Sequence, residues 1–154
     1  MIIVKSRLKK VNSSQRSINP ERLKNDAQEL LSSLGYKDFD LGILLTTNRT
    51  IQKYNKQYRN KNSPTDILSF PYHPELVAGN KIIPETEDDQ NLGDIIMSPE
   101  YVQKNLARYE TQELHKALQI LLVHGVLHLL GYTHDTEENY QIMHKQEIAL
   151  LQIL

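Results

Sequence analysis

The stretch ILLVHGVLHLLGYTHD, residues 120–135, constrains this chain more than any other part of it. It sets His124, His128 and His134 within and just beyond the most apolar run of the sequence. Residues four apart on an α-helix lie on one face, a turn above one another, so His124 and His128 can point at a common atom. Gly131 stands where a glycine in the left-handed conformation would end that helix and turn the chain back, delivering His134 from a loop. Burying two unpaired imidazoles costs on the order of a few kcal/mol. Three neutral imidazoles converging from a helix and its following turn form a divalent-metal site with an open coordination position.

A helix that is apolar on nearly every side, as the residues after Thr111 are, must be central. The remaining patterns supply what surrounds it. Residues 1–8 read as a strand. Asn19 caps a helix with Pro20 at its first position, and Leu23, Ala27, Leu30, Leu31 and Leu34 keep helical spacing as far as Gly35. Residues 40–46 suit a buried strand, and 49–58 a helix capped by Thr47 or Asn48. Strands follow at 65–71 and 91–97. Between them, 72–90 reads as a long loop, either functional or disordered. Ser98 caps a helix running to Tyr109, and Thr111 opens the central one. Asp135 caps the last helix, with Glu138 completing a capping box. Tyr140, Met143, Ile148, Leu151 and Leu154 are expected on its buried side.

The expected fold is α+β: a small mixed four-stranded sheet packed by about five helices, one of them a zincin-like metal-binding helix. The link between 65–71 and 91–97 carries no helical pattern, so those two strands are expected to run antiparallel. A length of 154 residues suits one domain, 1–154, with a real core. No apolar run reaches the ~18–20 residues of a membrane span. There are no cysteines, so disulfides and thiolate ligands are excluded. Any metal is held by His, Asp, Glu or water. His73, His115 and His144 lack partners in the pattern and read as surface or helix-face residues.

The net charge of −1 does not announce a nucleic-acid binder, but its distribution is uneven. Lys5, Arg7, Lys9, Lys10 and Arg16 precede the first acid, Glu21. Lys53, Lys56, Arg59 and Lys61 make a second basic run, and Glu85, Glu87, Asp88 and Asp89 gather the acid. Each run taken singly is a solvated face, although a neutral total can hide a basic groove.

The histidine spacing can be set against the metzincin pattern H-E-x-x-H-x-x-G-x-x-H. The three histidines and the glycine fall at the same offsets, but Gly125 stands where the protease carries its general base. The cradle is present without the carboxylate, which counts against peptide hydrolysis.

HGVLHLLGYTH at 124–134 resembles the H-G-x-L-H-L-x-G-[YF]-x-H signature of the YbeY endoribonuclease family. YRNKNSPTDILSFP at 58–71 is similar to that family's Y-R-x-x-x-x-P-T-D-V-L-S-F-P block, and LGDI at 92–95 to a third. The blocks follow the family's order and span nearly the whole chain. Thr133 departs from the aspartate usual in bacterial members, and Asp135 follows the last histidine instead. FDLGI at 39–43 and the insertion at 72–90 look more like the eukaryotic, organellar branch.

The resemblance implies a metal-dependent, single-strand-specific endoribonuclease of ribosomal RNA maturation and ribosome quality control. It implies one zinc ion on His124, His128 and His134, an essential Arg59, and the small ribosomal subunit or a ribosomal protein as partner. The implied compartment is the cytoplasm in a bacterium, or a mitochondrion or other organelle in a eukaryote. On that reading zinc polarises a phosphoryl oxygen or activates water near His124. Arg59 stabilises charge on the phosphate, although from spacing alone it is a surface arginine at a helix end. Lys56 and Lys61, with Lys53, would follow the RNA backbone. Tyr54, Tyr58 and Phe70 could stack bases, but at their spacing they read as core. Asp66 and Asp94 are candidates for a general base or for a partner of a metal histidine, or they only tie the sheet edge. Two other classes stay open: a peptidase with an unusual base, and a ribosome-associated protein whose zinc is structural.

Overall fold

The computed structural model describes residues 1–8 and 18–154. Lys9, Lys10 and Arg16 of the basic N-terminal run lie outside the described residues. The elements are β1 (Ile2–Ser6), α1 (Pro20–Ser33), β2 (Asp40–Leu45), α2 (Asn48–Arg59), β3 (Ile67–Pro71), β4 (Asn91–Met97), α3 (Pro99–Lys104), α4 (Leu114–Leu129) and α5 (Glu137–Leu151). Short 3₁₀ turns occupy Glu87–Asp89 and Leu106–Tyr109. The fold is α+β, with a mixed four-stranded sheet and five α-helices.

The sheet order is β1-β2-β4-β3. β1, β2 and β4 run parallel, and β3 runs antiparallel to β4, as expected of strands joined without a helix. Alternation along the strands assigns the two faces. Leu41, Ile43 and Leu45 of β2 enter the main core with Leu92, Ile95 and Met97 of β4 and the apolar stripes of α1 and α4. On the other face α2 packs, and Ile51, Leu68 and Ile96 form a small separate cluster there. Among the described residues no helix is long and apolar enough to cross a membrane.

α4 is the central helix. From Leu121 to Leu130 every residue is buried except His124 and His128, which are half-buried. Each fully buried leucine or valine on it contributes roughly 1.5–3 kcal/mol, which holds the imidazoles on a rigid support.

Several boundaries differ from the sequence expectation. The helix after Ser98 ends at Lys104 and tightens into a 3₁₀ turn, with Asn105 Nδ2 donating to the Tyr101 carbonyl. α4 opens at Leu114 rather than Thr111, whose hydroxyl accepts from Glu113 N in the turn before it. The N-cap of α5 is Thr136, which accepts from Asn139 N, so Asp135 is not the cap. The buried side of α5 is carried by Met143 and Leu150; Tyr140 and Ile148 are exposed.

The segment 72–90 is an ordered strap. Lys81 Nζ donates to the Leu34 carbonyl at 2.6 Å, and Ile82 N to the Tyr36 hydroxyl at 3.3 Å. His73 Nε2 donates to the Asp89 carbonyl at 2.8 Å. Leu76 and Ile82 pack on the core. The contacts that tie it to Leu34 and Tyr36 are distant in sequence, so local composition does not reveal them.

Candidate metal centre and active site

α4 and the turn after it bring the three histidines together. One ring nitrogen from each of His124, His128 and His134 lies within 4.8 Å of the others. Gly131, at φ +86°, takes the left-handed conformation that ends the helix, and its N–H bonds to the His128 carbonyl. Thr133 Oγ1 and Asn139 Nδ2 both donate to Asp135 Oδ1 at 2.8 Å, which braces the turn on either side of His134. Those two bonds hold the Asp135 carboxyl below its ordinary range. Asp135 is thus occupied within the turn.

The hydrogen bonds define the tautomers. His128 Nδ1 lies 2.9 Å from the Tyr132 carbonyl, which can only accept, so Nδ1 carries the proton. His124 Nδ1 lies 2.6 Å from Glu147 Oε1, and a carboxylate likewise only accepts. In its neutral form each imidazole then offers the Nε2 lone pair, and the two Nε2 atoms lie 2.9 Å apart. Either a shared proton or a metal ion in its place satisfies both nitrogens. Two nitrogens bound tetrahedrally to one zinc at about 2.0–2.1 Å are separated by roughly 3.3 Å, close to this spacing. Burial, and then the charge of His124, lower the His128 pKa to about 4, so its ring is a neutral ligand at neutral pH. The donor set fits a divalent metal held by three imidazoles.

Glu147 was missed from sequence. It occupies the inner side of α5 between Met143 and Leu150, at i, i+4 and i+7. An acid at core spacing was the available signal. Burial raises its carboxyl, but the hydrogen bond and charge of His124 and the contacts with His144 outweigh burial, and the net shift is downward. His115 was also misjudged. It pairs with Asp26 of α1 at 2.7 Å, and both side chains are largely buried. His144 sits 3.5 Å from Glu147 Oε2 and stacks on Tyr140.

Gly125 has a steric reason to be glycine. A Cβ there would lie 2.8 Å from Ile67 Cδ1, 2.9 Å from Ile95 Cδ1 and 3.2 Å from Ser69 Oγ. The position faces β3 and β4, where a glutamate side chain would be forced into the sheet. The absent protease base thus coincides with a site of close helix–sheet packing.

Arg59 is exposed at the C-terminal end of α2, and its charge is felt at His128. The following turn is pinned to the helix: Asn60 adopts φ 56°, Asn55 Nδ2 donates to the Ser63 carbonyl, and Gln52 Nε2 to the Asn62 carbonyl. Lys56 and Lys61 are exposed on the same helix end, without an ion-pair partner among the described residues. Asp66 is occupied by neighbouring donors. It accepts from Ile67 N at 2.8 Å and from the Tyr109 hydroxyl at 2.7 Å, which together with burial raises the Tyr109 phenol. Asp94 is exposed on the sheet face that α2 leaves partly open. Tyr54, Tyr58 and Phe70 meet one another on that same face, and Tyr58 is 58% exposed rather than core.

Taken together, a helix-borne histidine pair, a third histidine after a glycine turn, and a small mixed sheet define an α+β protein whose three clustered imidazoles could hold a metal ion. The model of the family described as Endoribonuclease YbeY matches residues 9–154. A human protein named Endoribonuclease YbeY is 44% identical over 118 residues, covering 77% of this chain and 70% of the relative. One of the same name from Fusobacterium nucleatum is 35% identical over 145 residues, covering 91% and 76%. The chain belongs to the YbeY endoribonuclease family. A solution structure of a Thermotoga maritima protein shares the fold, with a TM-score of 0.62 at 24% identity, covering 99% of this chain and 88% of that one.

Proposed function

We propose that this chain is a zinc-dependent, single-strand-specific endoribonuclease that works in ribosomal RNA maturation and ribosome quality control. The observation that supports the metal dependence is the convergence of one ring nitrogen from each of His124, His128 and His134 within 4.8 Å of one another. His134 completes the ligand set. A divalent ion held by His124, His128 and His134 would supply Lewis acidity for a phosphoryl oxygen of the scissile bond. Three imidazoles leave a coordination position open, unlike the four protein ligands of a structural zinc site.

The chain's own groups have separable tasks. Glu147 and the Tyr132 carbonyl hold the two helix histidines in the ligating tautomer and orientation. Arg59 pairs with two phosphate oxygens and offsets the charge that develops on them. Lys56 and Lys61 position the RNA backbone on either side of Arg59. No carboxylate on α4 is placed as a base, so the nucleophile is water or the substrate 2′-hydroxyl, and the product ends distinguish them. A 2′,3′-cyclic phosphate means attack by the 2′-hydroxyl. The small ribosomal subunit or one of its proteins is the partner such a role requires. Its compartment is the bacterial cytoplasm or a eukaryotic organelle.

The test is incubation of purified chain with single-stranded and double-stranded RNA, with and without chelator. Chelation and His128→Ala should abolish cleavage of the single strand, and zinc should restore it after chelation. Arg59→Ala should lower the rate by about 10²–10³, the range for loss of one charge-stabilising donor. Cleavage unaffected by chelator and both substitutions overturns the reading.

A further inference from the structure

Beside α2, the second face of the sheet stays open as a groove of about 500 Å³. α2 covers only the β3–β4 side of that face, through Ile51, Leu68 and Ile96. Tyr58 stands at the groove with its ring 6.2 Å from that of Tyr54, nearly parallel at 11°, and 5.1 Å from Phe70, edge-on at 69°. An exposed aromatic ring held between two others is a rigid stacking platform. Across the groove, Lys5 of β1 and Arg7 just beyond its end stand at alternate positions, both exposed.

The charge around it is one-sided. Between Asp40 and Asp66 the chain has no acid and carries Arg49, Lys53, Lys56, Arg59 and Lys61. None of these, nor Lys5 or Arg7, forms an ion pair among the described residues. Asp94 is the one acid lining the groove. Its carboxylate lies over β2 because residue 42 is glycine; a Cβ there would come within 2.0 Å of Asp94 Oδ1. Tyr58, which lines the groove, immediately precedes Arg59 at the C-terminal end of α2.

We propose that this groove is a second subsite for single-stranded RNA, holding the segment that flanks the scissile bond. Bases stack on Tyr58 and Tyr54, and phosphates run along Lys5 and Arg7. The Asp94 carboxylate repels the backbone from the groove floor and accepts from a base amino group or a 2′-hydroxyl, so bases point inward and phosphates outward. A duplex has no unstacked base to offer and is excluded. The proposal rests on the endoribonuclease reading above. It adds a site remote from the metal ligands that acts on binding rather than on the bond.

The test uses the zinc-loaded full chain with Arg59→Ala as common background, where cleavage is slow, and single-stranded RNA of roughly 16 nucleotides, the upper end of single-strand site sizes. Photo-crosslinking with 5-iodouridine RNA should label Tyr54 or Tyr58, and competition by single-stranded but not duplex RNA should remove the label. Tyr58→Leu should weaken binding about tenfold. The pair Lys5→Glu and Arg7→Glu should weaken it as much and lower the salt slope by about 1.4, at about 0.7 per phosphate contact. Crosslinks absent from both tyrosines, or unchanged affinity in all these variants, overturn the proposal. So does loss of ribosomal-protein binding in the variants with RNA affinity intact, which would assign the face to a protein. If the wild-type chain with zinc cleaves single-stranded RNA while the groove variants behave as wild type, only the subsite fails. If wild type neither binds nor cleaves, the endoribonuclease reading falls with it.

Discussion

The Nδ1–H of His124 donates to Oε1 of Glu147 at 2.6 Å, and this bond ties the metal-binding helix to the last helix of the chain. It sets the tautomer, aims Nε2 at the site, and raises the basicity of the ligand. Glu147→Ala should therefore reduce zinc affinity about 10–100-fold. Glu147→Gln, whose amide oxygen still accepts, should fall between the two. Competition against a chromogenic chelator measures both, and wild-type affinity in the alanine variant would remove Glu147 from the site.

At Gly125 the question is whether packing or missing chemistry keeps the position glycine. Gly125→Ala gains up to about 1 kcal/mol of helix propensity, but its Cβ crowds the ends of Ile67 and Ile95. Overpacking costs about 1–3 kcal/mol, so a net loss of up to roughly 2 kcal/mol is expected in urea unfolding. Gly125→Glu should lose more and should gain no peptidase activity. A stable Gly125→Glu chain that cleaves peptides would show that the position can face the metal.

Gly131→Ala tests the turn that delivers His134. The left-handed conformation costs a non-glycine residue about 1–2 kcal/mol, and here a Cβ would also sit 2.1 Å from the Leu76 carbonyl oxygen, which is backbone and cannot swing aside. We expect more than about 2 kcal/mol of destabilisation, together with weaker zinc binding. Unchanged affinity in a destabilised variant would mean that His134 reaches the site independently of this turn.

His115 and Asp26 should couple energetically across the α1–α4 interface. A hydrogen bond to a charged group contributes about 1.5–3 kcal/mol, and removing either partner leaves the other buried. A double-mutant cycle with Asp26→Ala and His115→Ala should return a coupling above about 1 kcal/mol. Strict additivity would make the pair incidental.

In the strap, Asp89 Oδ2 accepts from Thr86 N at 2.9 Å and from Thr86 Oγ1 at 3.1 Å. Thr86, through its backbone and then its side chain, holds the Asp89 carboxyl below the ordinary 3.8. A depressed folded-state value means that the contribution to stability is present above about pH 4 and fades as pH falls through the lower value. Carboxyl-carbon NMR should place the Asp89 midpoint below 3.8, and Thr86→Val should move it upward. A midpoint unmoved by that substitution would discount the side-chain bond.

The elements and the histidine triad were legible because their signals are local. Helical and strand periodicities run through contiguous residues, and the offsets of His124, His128, Gly131 and His134 span less than three helical turns. Asn19, Thr47 and Ser98 cap the helices they were expected to cap. Thr136 rather than Asp135 caps α5, because Asp135 Oδ1 is taken up by Thr133 Oγ1 and Asn139 Nδ2.

What the residues alone determined is the identity and spacing of three ligands, the class of sheet and helices that carries them, and the absence of a carboxylate beside His124. The tertiary structure decided which distant groups complete the site. Glu147 meets His124 only because α5 packs back on α4, and Gly125 is confined only because α4 lies close on β3 and β4. His115 finds Asp26 across 89 residues of chain. Arg59 bears on His128 only once α2 has crossed to the second face of the sheet. Such relationships depend on interatomic distances after packing, and nothing in the spacing of neighbours along the chain encodes them.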